Sequence, residues 1–118
     1  MNRLQSFKFA FKGLLTLVKS QPNARIHLLA TLAVIIAGIL LQVTAGEWCS
    51  LTLAMTAVWV AEALNTAIEQ LADAVSPDFH PAIARAKDVA AAAVLIAALG
   101  AVIIAILVLG PPLLSRFV

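Results

Sequence analysis

The stretch Val58 to Val75, VWVAEALNTAIEQLADAV, decides the fold, because it places polar and acidic side chains inside a segment that is otherwise apolar enough for a membrane. On a helix turning about 100° per residue, Glu62 and Glu69 fall within about 20° of each other. Asn65, Thr66 and Asp73 lie on the same side, while Trp59, Val60, Leu64, Ala67, Ile68 and Leu71 keep the other faces apolar. A strand would send Glu62 and Glu69 to opposite faces, and nothing here alternates. An acid within a lipid-spanning helix costs several kcal/mol unless it faces protein, water, a metal or an opposite charge, so the stripe marks a functional site. The competing reading is that Glu62 and Glu69 pair with basic residues and lock helices together.

Composition agrees with a membrane setting. The 118 residues are 63% hydrophobic and 12% charged, with a mean hydropathy of +1.03, far from soluble globular averages. The length supports one domain, residues 1–118, of an all-α membrane protein. The net charge of +2 is too small and too scattered for nucleic-acid binding, and suits a membrane surface or phosphates. The single cysteine, Cys49, excludes an internal disulfide and a cysteine-based metal site. The first twenty residues mix Arg3, Lys8, Lys12 and Lys19 with aromatics, unlike a cleavable signal peptide.

Residues 1–20 read as an amphipathic interfacial helix. Lys8, Lys12 and Lys19 share one edge and Phe7, Ala10, Phe11, Leu14, Leu17 and Val18 fill the opposite arc, with Phe9 and Leu15 off pattern. Whether its apolar face meets lipid or the protein's own helices, it lies at the membrane surface. Pro22 marks a break, and a polar run from Ser20 to Arg25 leads into an apolar span over about residues 26–43, just long enough to cross a bilayer. His27, near its start, reads as a capping or interfacial group in preference to a ligand. Thr44 to Glu47, with Gly46, reads as a tight turn before a second span at about 48–71, with Trp48 at the boundary.

Ser76-Pro77-Asp78-Phe79-His80-Pro81 is loop-like, since prolines at both ends deny it a continuous helix. A third membrane helix at about 87–109 follows, and Gly110-Pro111-Pro112 is expected to stop it. Its small residues Ala86, Ala90, Ala93, Ala97 and Gly100 allow close approach of a neighbouring helix. Basic residues precede the first span and follow the second, which places the N-terminus and the loop after Val75 in the cytoplasm. The Glu62 to Asp73 stripe then occupies the cytoplasmic half of the second span.

An acid at that depth with a second one nearer the water suits a reaction between an oily and a water-soluble substrate. Glu62 is placed to accept a proton from a lipid hydroxyl, Glu69 to hold a divalent cation carrying phosphates, and Lys87 to neutralise phosphate charge. No glycine-rich phosphate loop, hydrolase triad or zinc spacing accompanies them.

The run Glu62-Ala-Leu-Asn65-Thr66-Ala-Ile-Glu69, then Asp73, Asp78-Phe79-His80 and Ala86-Lys87-Asp88-Val-Ala-Ala, resembles the prokaryotic diacylglycerol kinase and undecaprenol kinase family. Phe11-Lys12-Gly13 and Asn23-Ala24-Arg25-Ile26-His27 resemble its amino-terminal pattern, so the likeness covers nearly the whole chain. It implies a homotrimeric kinase of the bacterial inner membrane, with an amphipathic surface helix and three transmembrane helices, that passes the γ-phosphate of Mg-ATP to a lipid alcohol. Glu62 then matches the general base, Asn65 its polar neighbour, and Glu69 a metal-binding carboxylate. Lys87 and Asp88 match nucleotide contacts, and Asp78, Phe79 and His80 a loop that approaches the nucleotide. Two positions depart from the pattern. Gln21 stands where well-known members carry a second metal-binding glutamate, offering an oxygen without its charge, and Phe9 replaces a tyrosine, losing a hydroxyl. Val89 to Ala93 looks closer to the undecaprenol type. The rival readings are a catalytically silent relative serving as a membrane partner or scaffold, suggested by Gln21, and an oligomer conducting ions along the Glu62 to Asp73 stripe.

Overall fold

The computed structural model describes residues 2–117 as four α-helices: α1 (Arg3–Ser20), α2 (Pro22–Leu40), α3 (Ala45–Val75) and α4 (Pro81–Phe117). No strand occurs among the described residues. The last three helices are each long and apolar enough to cross a membrane. Within their most apolar windows α3 buries 33% of its residues against the protein, α2 11% and α4 6%, so α3 is the central helix and the other two give most of their surface to their surroundings. The most extensive packing joins α3 to α4.

α1 opens with a capping box in which Asn2 accepts from the Gln5 N–H and Gln5 accepts from the Asn2 N–H. Its apolar arc is largely uncovered: Leu17 is buried, while Phe7, Phe11 and Leu14 stay exposed, as an interfacial helix requires. The break before α2 is shorter than the sequence suggests. Only Gln21 is extended, and Pro22 occupies the first turn of α2, where its missing N–H is no loss. Arg25 reaches back from α2, donating from Nε to the Val18 carbonyl at 3.1 Å and from Nη2 to the Lys19 carbonyl at 2.7 Å. These carbonyls end α1 without helical partners, so Arg25 clamps the two helices at a fixed corner.

The turn between α2 and α3 lies upstream of the one expected at Thr44 to Glu47. Gln42 takes the left-handed conformation (φ 55°), and Val43 N–H closes the helix end onto the Gly38 carbonyl at 3.2 Å. Thr44 and Glu47 instead form the capping box of α3, with Gly46 inside its first turn. Trp48 then folds its ring over α2 at Gly38, where an added Cβ would stand 2.5 Å from the indole.

Of the buried residues of α3, Leu51, Ala54, Val58, Glu62, Asn65 and Ala72 recur at steps of three, four or seven along one side of the helix, with Thr66 next to Asn65. Glu62, Asn65 and Thr66 therefore continue the line of buried residues, while Glu69 is only half-buried and Asp73 is exposed.

α4 corrects the expected stop at Gly110-Pro111-Pro112, since it continues through both prolines to Phe117. Each proline withholds one backbone donor, which membrane helices tolerate, and Gly110 has no Cβ to meet the ring of Pro111. The last turn is held from outside: Ser115 Oγ donates to the Pro112 carbonyl at 2.9 Å, and Arg116 Nη2 to the Leu40 carbonyl at the end of α2 at 3.0 Å. At about 1.5 Å per residue the helix is about 55 Å long, which matches the 56 Å long axis of the molecule.

Candidate active site

Glu62 is 1% exposed, and its nearest charged or titratable neighbour is His27 on α2, with Nε2 3.4 Å from Oε2. The contact lies within ion-pair reach but is too poorly aligned to be a hydrogen bond, so Oε2 has no bonded partner. One turn later Asn65 Oδ1 and Thr66 Oγ1 are likewise buried and unpartnered. Buried polar atoms are ordinarily satisfied; Oε2 at least faces His27, whereas Asn65 Oδ1 and Thr66 Oγ1 have no hydrogen-bond partner and mark a place prepared for a group from outside this chain.

The three residues address three different helices. Glu62 meets α2 through His27. Asn65 lines a cleft of about 660 Å³ with Arg85, Ala86 and Ala90 of α4. Thr66 lines one of about 740 Å³ against α1, with Phe9, Lys12 and Thr16. The stripe thus fans out around α3, because residues three and four apart diverge by tens of degrees in a close-packed bundle. Phe9, off pattern on α1, sits in the Thr66 cleft.

Further along α3, Glu69 is half-buried and Asp73 exposed. Asp73 forms an ion pair with Lys87 of α4. The loop between them is ordered by its own polar groups: Ser76 Oγ donates to the Asp78 carbonyl at 3.0 Å, and His80 Nδ1 accepts from Ala82 N–H at 3.1 Å, capping α4. Asp73, Asp78, Phe79, His80 and Lys87 surround one cavity of about 290 Å³. Asp88 is exposed and directly follows Lys87 on α4. Gln21 lies at the α1–α2 corner, where its N–H bonds the Leu17 carbonyl and its own carbonyl accepts from Arg25 N–H.

No cluster of three His, Cys, Asp or Glu side chains suited to a metal occurs among the described residues. Glu69 is nonetheless a half-buried carboxylate, an oxygen donor of the kind Mg²⁺ takes when it binds through one or two carboxylates and substrate phosphates. The residues present fit a metal that arrives with a nucleotide.

The residue that sequence reasoning misjudged is His27. It neither caps a helix nor sits free at the interface, but lies half-buried against Glu62. The available signal was that it is the only titratable side chain between Arg25 and Glu47.

Membrane helices gathered around a buried carboxylate, beside a polar cavity at one end, define a multi-pass helical membrane enzyme. Comparison with known proteins specifies its kind. Residues 8–109 match the family model described as prokaryotic diacylglycerol kinase. The chain is 42% identical over 118 residues to a diacylglycerol kinase of Synechocystis, covering 99% of this chain and 67% of that one. It is 35% identical over 114 residues to the undecaprenol kinase of Bacillus subtilis, covering 96% of this chain and 93% of that one. The chain belongs to the prokaryotic diacylglycerol kinase family and is a lipid kinase.

Proposed function

We propose that the chain transfers the γ-phosphate of ATP to the hydroxyl of a membrane lipid alcohol, undecaprenol or diacylglycerol, at the cytoplasmic face of the bacterial inner membrane. The relatives named for these two lipids support both candidates. The observation that carries the reading is the burial of Glu62, a carboxylate 1% exposed on the central membrane helix with an unbonded oxygen. It lies about 20 Å before the end of α3, deep enough to meet the hydroxyl of a molecule held in the bilayer.

Glu62 acts as general base. It takes the hydroxyl proton as the lipid oxygen bonds to the γ-phosphorus, the bond from that phosphorus to the bridging oxygen breaks, and ADP leaves. The proton passes from Glu62 to water once product has departed. Asn65, its side-chain oxygen unpartnered, orients the reacting groups. Lys87 and the loop residues Asp78, Phe79 and His80 hold the nucleotide in the cavity they share; Asp88, next to Lys87 in the chain, and Phe9, in the cleft beside Thr66, are assigned nucleotide contacts by the family resemblance alone. Glu69 and Gln21 would hold Mg²⁺, which when bound neutralises phosphate charge. The N-terminus is cytoplasmic, because the basic residues cluster at the end of the bundle where α2 and α4 begin. The enzyme works as a homotrimer, a reading supported by the family resemblance and by the exposed surface of α4.

The test is transfer of labelled phosphate from ATP by purified protein in detergent, with each lipid in parallel and with or without Mg²⁺. A labelled lipid formed only with the metal is expected. Absence of product with both lipids from folded protein would sink the reading.

A further inference from the structure

We infer that His27 is a positioning residue for Glu62, holding the carboxylate so that one oxygen remains free to take the substrate proton. The inference rests on Glu62 being the general base. Three observations carry it. First, Nε2 of His27 faces Glu62 Oε2 at 3.4 Å, and no other side chain forms an ion pair with Glu62 among the described residues. Second, the contact is secluded: Glu62 is 1% and His27 17% exposed at the side chain, and the histidine borders an apolar groove of about 160 Å³ between α2, α3 and α4. With little water to compete, an N–H directed at the carboxylate acts more strongly than it would at a surface. Third, the register of α2 at this point is pinned to α3. Trp59 Nε1 donates to Thr31 Oγ1 at 2.9 Å, and Thr31 Oγ1 donates to the His27 carbonyl at 2.7 Å. Trp59 lies three residues before Glu62, so this bonded path ties the backbone of α2 at His27 to α3 within one turn of Glu62.

The open geometry is what an unliganded site requires. Hydrogen bonds to a general base are commonly long before the reactants are bound and close when they are. With Nε2–H on Oε2, the carboxylate loses its freedom to rotate, and its second oxygen takes the proton. The histidine makes no bond to the lipid or the nucleotide, so its loss is felt in turnover and not in binding.

The test is steady-state kinetics of the full chain in detergent, comparing His27→Leu with His27→Gln, whose amide N–H has similar reach. His27→Leu is expected to lower kcat about 10- to 100-fold while both KM values stay within about twofold. His27→Gln is expected to recover most of the loss. Equal losses in both variants, a change in KM alone, or no change would overturn the inference. A second readout does not depend on turnover. The infrared carboxylate band of Glu62, found by subtracting the spectrum of Glu62→Gln, is expected to shift in His27→Leu, and an unmoved band would show that the two side chains do not interact. If Glu62→Gln keeps wild-type turnover, the general-base reading fails even where the band shifts. If Glu62→Gln is inactive and His27→Leu is not, the positioning role alone fails.

Discussion

Lys87, early in α4, is paired with Asp73, late in α3, across the loop that carries Asp78, Phe79 and His80. The side chains are 35% and 67% exposed, and pairs in such a setting contribute about 0–1 kcal/mol. The lysine is therefore held in place yet released cheaply when a polyphosphate enters the cavity. Lys87→Ala is expected to raise the KM for ATP about tenfold or more, leaving the lipid KM unchanged. Asp73→Asn is expected to change the melting temperature little, since it breaks only the exposed pair. The KM effect is read by varying one substrate at a time, and the stability effect by a thermal melt in detergent.

Gln21 supplies an amide where the family resemblance leads one to expect a metal-binding carboxylate. Gln21→Glu is expected to reduce the Mg²⁺ concentration for half-maximal activity severalfold, because a second negative ligand strengthens binding of a hard cation. A chelator is expected to abolish turnover in both proteins. A metal titration of activity distinguishes the two.

Thr31 serves as acceptor to Trp59 and donor to the His27 carbonyl. Thr31→Val keeps the shape but orphans the half-buried indole N–H, and is expected to destabilise the protein by about 1–3 kcal/mol. A thermal melt in detergent measures the loss, and kcat is expected to fall with it as the His27 register loosens.

Much of this arrangement was legible in the sequence because it depends on local period and composition. The Glu62 to Asp73 stripe and the existence of three apolar spans follow from spacing along single helices. What was misread depends on partners remote in sequence. His27 looked like an ordinary interfacial histidine because its meaning comes from Glu62, on another helix. Pro111 and Pro112 looked like a stop because a proline rule counts the lost donors and not the anchoring of Arg116 onto Leu40. The turn expected over Thr44 to Glu47 lies earlier because Gln42, and not a glycine, takes the left-handed conformation that ends α2. The fanning of Glu62, Asn65 and Thr66 toward three helices is likewise a property of the bundle.

Gly38 shows how close packing sets a further limit. An added methyl would meet the Trp48 ring at 2.5 Å, so Gly38→Ala is expected to destabilise by about 1–3 kcal/mol unless the ring turns away. Tryptophan fluorescence alongside the melt separates the two outcomes, because a displaced Trp48 changes its emission while a strained one does not.

The most direct measurement is the rate of lipid phosphorylation by Glu62→Gln, which keeps the size of the side chain and removes its basicity. With Mg²⁺ and ATP saturating, and with a melting temperature near that of the wild type, a fall in kcat of about 10²- to 10⁴-fold is expected for loss of a general base. A variant that turns over within a few-fold of the wild type would contradict the central role given to the buried carboxylate.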